Sequence, residues 1–111
     1  MAKFIFIYKG EATDMADMTP EEGAAVMAKW GVWMEKIGPA LAAVGSPFGS
    51  GVSVVDDGST ATPTSLTGYS IVQANDLAHA QSLADGHPYL SEGKGNYAVE
   101  VFELMPVPFE N

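Results

Sequence analysis

The residues with chemistry to offer gather near the end of this chain. His87 follows Gly86, precedes Pro88-Tyr89 and stands two residues after Asp85. Leu77, Ala80, Leu83 and Ala84 recur at helical spacing just before it, and Gly86 with Pro88 closes that helix, so His87 falls at a helix C-terminus. The negative end of a helix and a nearby carboxylate both favour imidazolium, so the sequence predicts a raised His87 pKa. A His in that state can act as a general acid or hold an anion, with Asp85 beside it. It can equally do no more than cap helix carbonyls.

Other candidates are less pointed. Trp30 and Trp33 lie three apart on an apolar helix stripe. Paired aromatics there can wall a ligand or simply fill a core. Glu100 and Glu103 fall on opposite faces of the last strand, either as edge charges against aggregation or as a cleft base. His79 sits about 110° from the centre of its helix's stripe, a solvated flank. It stands eight residues from His87 with no third ligand at usable spacing, so no metal site is expected. Gly45-Ser-Pro-Phe-Gly-Ser-Gly51 has neither the Lys nor the spacing of a phosphate loop and reads as a tight connection.

Composition narrows the partners. The net charge is −9, and the Lys and Arg total of five is all Lys. Phosphate recognition relies on Arg forks and basic patches, so nucleic acid and anionic membrane surfaces are disfavoured. There is no Cys, hence no disulfide, thiolate nucleophile or thiolate metal site. No cofactor is indicated. The apolar run Phe4–Tyr8 is too short for a signal sequence or a membrane span, and a soluble cytoplasmic protein is the expectation. The length of 111 residues suits a single domain spanning 1–111.

Positioning elements follow from the patterning. Lys3–Tyr8 reads as a strand with Phe4, Phe6 and Tyr8 on one face and Ile5 and Ile7 on the other. Both faces are apolar, so this strand is central and covered on both sides. Thr19, Pro20 and Glu22 form a capping box with Pro at the first helical position. Val26, Met27, Trp30, Trp33, Met34, Ile37 and Leu41 continue as an apolar stripe. Gly38-Pro39 kinks or stops this helix, with Ala40–Val44 as a last short turn. Gly51–Val55 and Leu66–Ala74 read as strands joined by a long hairpin, and Tyr97–Leu104 as the last strand. Asn75 or Asp76 caps the second helix. The order is β-α-β-β-α-β, the ferredoxin-like split βαβ of the α+β class. It predicts a four-stranded antiparallel sheet with two helices on one face and the first and third strands inside. Helices cover one face only, so the open face calls for a second copy of the chain.

These stretches, taken in order, resemble the YCII-related family, and its DGPF-type branch more closely. The resemblance is carried by Phe4-Ile-Phe-Ile-Tyr8, Trp30-x-x-Trp33, Gly45-Ser-Pro-Phe48, and Ala84-Asp-Gly-His-Pro-Tyr-Leu90 followed by Val99-Glu-Val101. It runs over nearly the whole chain. It implies a ferredoxin-like domain that dimerises through its sheet as a dimeric α/β barrel. It also implies a cleft between sheet and helices near His87-Pro88-Tyr89. In the wider family a His on the first helix and an Asp before the Pro are proposed as an acid–base pair. Here Trp30 and His87 stand at those positions. Three readings follow. One is a small dimeric module binding a small molecule in an aromatic cleft, with Trp30, Trp33, Phe48 and Tyr89 as candidate lining. Another is a small acid–base enzyme, lyase- or isomerase-like, working through His87 and Asp85. The third is a purely structural domain with no pocket. A deep pocket with His87 and Trp33 on its wall would favour the first two; an empty, closed core would remove them.

Overall fold

The computed structural model describes residues 2–10, 19–90, 93 and 95–106. Its spine is strand β1 (Ala2–Lys9). Phe4, Phe6 and Tyr8 are buried on one face, while Ile5 and Ile7 are half-exposed on the other. β1 pairs antiparallel with β5 (Leu66–Ala74) on one side and β6 (Ala98–Glu103) on the other. A short strand β2 (Leu41–Ala43) completes the four-stranded sheet in the order β2-β5-β1-β6. The first and third main strands are therefore inside, as the crossover rule requires.

Helix α1 (Pro20–Ile37) opens on the Thr19 capping box: Thr19 Oγ1 accepts from the Glu22 amide at 3.1 Å, and Glu22 Oε1 accepts from the Thr19 amide at 3.3 Å. It ends before Gly38-Pro39, where a 3₁₀ turn over Gly38–Ala40 takes over. Its buried face is narrower than the expected stripe. Gly23, Trp33 and Ile37 are buried, Val26, Trp30 and Met34 half-buried, and Met27 is 61% exposed. Helix α2 (Leu77–Leu83) starts at Asp76, whose side chain accepts from the His79 amide at 2.8 Å. It buries Ala80, with Ala84 just beyond its end, but Leu77 in its first turn is 54% exposed. A helix of two turns brings few residues onto the sheet. Both helices pack on the Phe4–Phe6–Tyr8 face with Val72 and Ala74.

Two expectations need correction. The edge strand beside β5 is Leu41–Ala43, placed in a helical turn by the sequence reading. Pro39 stops the helix early, and the freed backbone then pairs with Val72 and Ile71. Ser53–Val54, expected as the second sheet strand, instead forms β3 of a separate two-stranded hairpin with β4 (Thr60–Ala61). The tight connection before it is real. Gly45 has φ 77°, and a Cβ there would overlap the Tyr69 carbonyl of β5.

Candidate functional site

Three segments bring one aromatic cluster together. β1 supplies Tyr8, α1 supplies Trp30 and Trp33, and the turn after α2 supplies His87 and Tyr89. The His87 ring centre lies 4.4 Å from that of Trp33, 4.7 Å from Trp30 and 4.8 Å from Tyr8. Both Trp contacts are edge-to-face. Tyr89 stacks on Tyr8 at 5.0 Å. The local sequence produces this inward aim. The Ala84 carbonyl accepts from the His87 backbone N–H at 3.0 Å, and Gly86 at φ 81° reverses the chain. The His87 backbone therefore caps the helix end, and its side chain is free to turn inward.

That side chain is 1% exposed. Its Nδ1 accepts from the Tyr89 backbone N–H at 3.1 Å, so in the neutral ring the proton sits on Nε2. Nε2 is buried and has no hydrogen-bond partner among the described residues. Burial pushes the His87 pKa down to about 4. The expected imidazolium is thus overturned. Asp85 does not reach the ring: its side chain is 85% exposed and pairs with Lys36 Nζ at 3.2 Å. Lys36 Nζ also donates to the Asp85 carbonyl at 3.0 Å. Desolvation outweighs the helix-end field because the ring left the helix end for the core.

The hydroxyls of the cluster and the Trp33 indole are committed. Ser70 Oγ donates to the Val44 carbonyl at 2.6 Å, so in the 2.5 Å contact with Tyr8 the phenol is the donor. Burial pushes the Tyr8 pKa up to about 12, and it remains a phenol. Thr67 Oγ1 donates to the Tyr8 carbonyl at 3.2 Å, which makes Tyr89 the donor in its 2.6 Å contact with Thr67. Trp33 Nε1 donates to the Leu83 carbonyl at 2.8 Å, tying α1 to α2.

The expected cleft between sheet and helix is closed in this structure, because these rings fill it, which counts against a ready-made ligand pocket. What a filled structural core leaves unexplained is the buried Nε2–H of His87, unpaired among the described residues. A groove of about 240 Å³ lined by Ala28, Lys29, Val32, Gly86 and Pro88 opens to the surface. Gly86 and Pro88 flank His87, and Lys29 and Val32 adjoin Trp30 and Trp33 in sequence. Phe48 takes no part in the cluster. It stacks on Tyr69 at 5.9 Å, and Tyr69 pairs with Ile7 on the open side of the sheet. Glu100 is on that side too, 3.8 Å from Lys9, while Glu103 is exposed at the strand end opposite Phe4. His79 Nδ1 accepts from the Asn75 amide at 3.0 Å. Sequence reasoning named Trp30, Trp33, His87 and Tyr89 but missed Tyr8, Thr67 and Ser70. The available signal was strand alternation, which already put Tyr8 on one face with Phe4 and Phe6; the structure makes that face the helix side.

Among the described residues no helix is long and apolar enough to cross a membrane, and no cluster of three or more His, Asp or Glu could hold a metal ion. None of the curated proteins matches the chain. The YCII-related domain matches residues 1–104, which takes in the whole sheet, both helices and the His87 turn. With the split βαβ order and the paired helices of that fold in place, the chain belongs to the YCII-related family.

Proposed function

We propose that this protein is a homodimeric binding module that takes a small molecule at the His87 cluster. The carrying observation is the buried Nε2–H of His87, which has no partner among the described residues. Leaving such a donor unpaired costs on the order of 1–3 kcal/mol, only partly offset by aromatic faces. A ligand acceptor would relieve it. Trp30 is the least anchored wall of the cluster. It is half-buried, and among the described residues no hydrogen bond holds its indole, whereas Trp33 and Tyr89 are each anchored by one. A ligand would have to displace it, since the rings otherwise close the cluster. Acid–base catalysis by His87 loses its support, since the ring is neutral at pH 7 and its lone pair is occupied.

The dimer reading rests on the open sheet face. Ile5, Ile7, Tyr69 and Ile71 are only half-covered there, and Phe102 is 53% exposed. A second copy on the open face would bury these apolar side chains.

A screen of small aromatic and aliphatic fragments by NMR tests the site. A binder should shift the Trp30 indole and His87 ring signals together. Fragments that bind only elsewhere, with both signals still, would refute the site.

A further inference from the structure

Building on that binding site, we propose that its ligand is a neutral, flat, single-ring-sized molecule carrying a carbonyl-type acceptor, and that His87 Nε2–H receives that oxygen. The proposal follows from what each polar atom of the cluster is already doing. The hydroxyl protons of Tyr8 and Tyr89, the indole N–H of Trp33 and the lone pair of His87 Nδ1 are all engaged within the fold. Two N–H donors of the cluster are left among the described residues, the half-buried Trp30 indole and His87 Nε2–H. Of these only the His87 donor is fully buried, set among aromatic rings.

An anion does not fit. It would need a cation in the same dry space, and no Lys is among the ring partners of His87: Lys36 is held by Asp85, and Lys29 lines the groove outside. The net charge of −9 adds a long-range penalty. A cation is attracted by ring faces but repelled by the positive end of an N–H dipole. No carboxylate accompanies it, since Asp85 is turned to solvent. A neutral acceptor satisfies the donor without bringing charge into a low-dielectric site. Flatness suits the Tyr8–Tyr89 stack: Trp30 meets both of its rings edge-on, at 5.4 and 6.2 Å, and a flat ligand ring would take the place of that indole edge against them. Size follows from Trp30: its indole is the ring that would have to yield, and in a close-packed cluster the space that it leaves admits about one ring.

Four probes of one shape test the proposal on the intact chain: acetophenone, benzoate, phenyltrimethylammonium and ethylbenzene. Long-range ¹H–¹⁵N spectra follow the His87 ring, and one-bond spectra the Trp30 indole. Acetophenone should bind saturably and move the Nε2–H signal downfield. The charged probes should bind at least about tenfold more weakly. Ethylbenzene, which lacks the acceptor, should bind more weakly than acetophenone and leave Nε2–H in place. His87→Phe, whose fold is checked by near-UV circular dichroism, should lose the preference for acetophenone over ethylbenzene. Should His87→Phe not fold, the acetophenone–ethylbenzene difference on the unaltered protein decides alone. Benzoate or phenyltrimethylammonium binding at the cluster as well as acetophenone would overturn the ligand class and leave the site standing. If no probe moves either His87 or Trp30, both the class and the site fall.

Discussion

At His87 two tendencies compete. The end of α2 and the nearby carboxylate draw an imidazole toward the charged form, while the core rejects charge. The core wins, because the ring is buried among Tyr8, Trp30 and Trp33 and Asp85 turns to Lys36 instead. The consequence for stability has a definite sign. The unfolded chain binds a proton at His87 near pH 6.5, and the folded chain only near pH 4. Stability therefore falls as pH drops through that window, by at most about 3 kcal/mol from this residue, and is unaffected by it above pH 7. Urea melts of the protein and of His87→Phe between pH 7 and 5 should diverge in slope, the variant being the flatter. Equal slopes would show that His87 takes up its proton in the folded chain as readily as in the unfolded one, which would overturn the lowered pKa. At pH 7 the Phe variant should lie within about 1 kcal/mol of the parent, since it loses the Tyr89 amide contact but also an unpaired donor. Trp33 is a different case. It is 1% exposed and bonded to the Leu83 carbonyl. Trp33→Ala should cost about 3–5 kcal/mol in the same melts. A near-neutral result would mean that the site collapses around the loss and that Trp33 is no core residue.

Among the elements, α1 and the β2–β5 edge show how local chemistry and packing divide the work. The Thr19–Glu22 capping box is formed in full, so Thr19→Ala should destabilise by about 1 kcal/mol, read from the midpoint of a thermal or urea melt. The segment after α1 behaves otherwise. Gly45 carries a positive φ and lies against the β5 backbone, so Gly45→Ala faces both strain and overlap with Tyr69. It should cost more than Thr19→Ala and raise hydrogen exchange of the Tyr69 amide, which donates to the Ser46 carbonyl at 3.2 Å. Gly49→Ala, four residues on, meets nothing within 4 Å and should be silent.

For the whole molecule, the open sheet face governs behaviour in solution. An apolar patch larger than a few hundred Å² is uncommon on a soluble monomer. Light scattering at micromolar concentration should give about twice the chain mass of 11.7 kDa. The result should hold in high salt, because apolar contact is its source. The interface should bury about 2,000 Å² or more in total. A mass that stays at one chain as concentration rises would sink the dimer. Ile7→Glu places a second carboxylate beside Glu100, its partner across the β1–β6 pair. That variant should give aggregated or misfolded protein rather than a clean monomer.

The helix start at Thr19, the strand alternation of Phe4–Tyr8, the central position of β1 and β5 and the identity of the aromatic residues were all legible in the sequence. Each rests on contacts within a few residues, or on periodicity that fold rules convert into topology. The sheet's second strand was misread because Leu41–Ala43 is extended only by pairing with β5, a partner about thirty residues on. The charge state of His87 was misread for the same kind of reason. Its sequence neighbours all favour protonation, and the groups that forbid it come from β1 and α1. Phe48 went to the wrong side of the sheet because its stacking partner Tyr69 belongs to another strand. Local signals determined where elements begin and which face is apolar. Only the tertiary structure decided which side chains share a dry space, because a pKa depends on everything packed around a group and not on its neighbours along the chain.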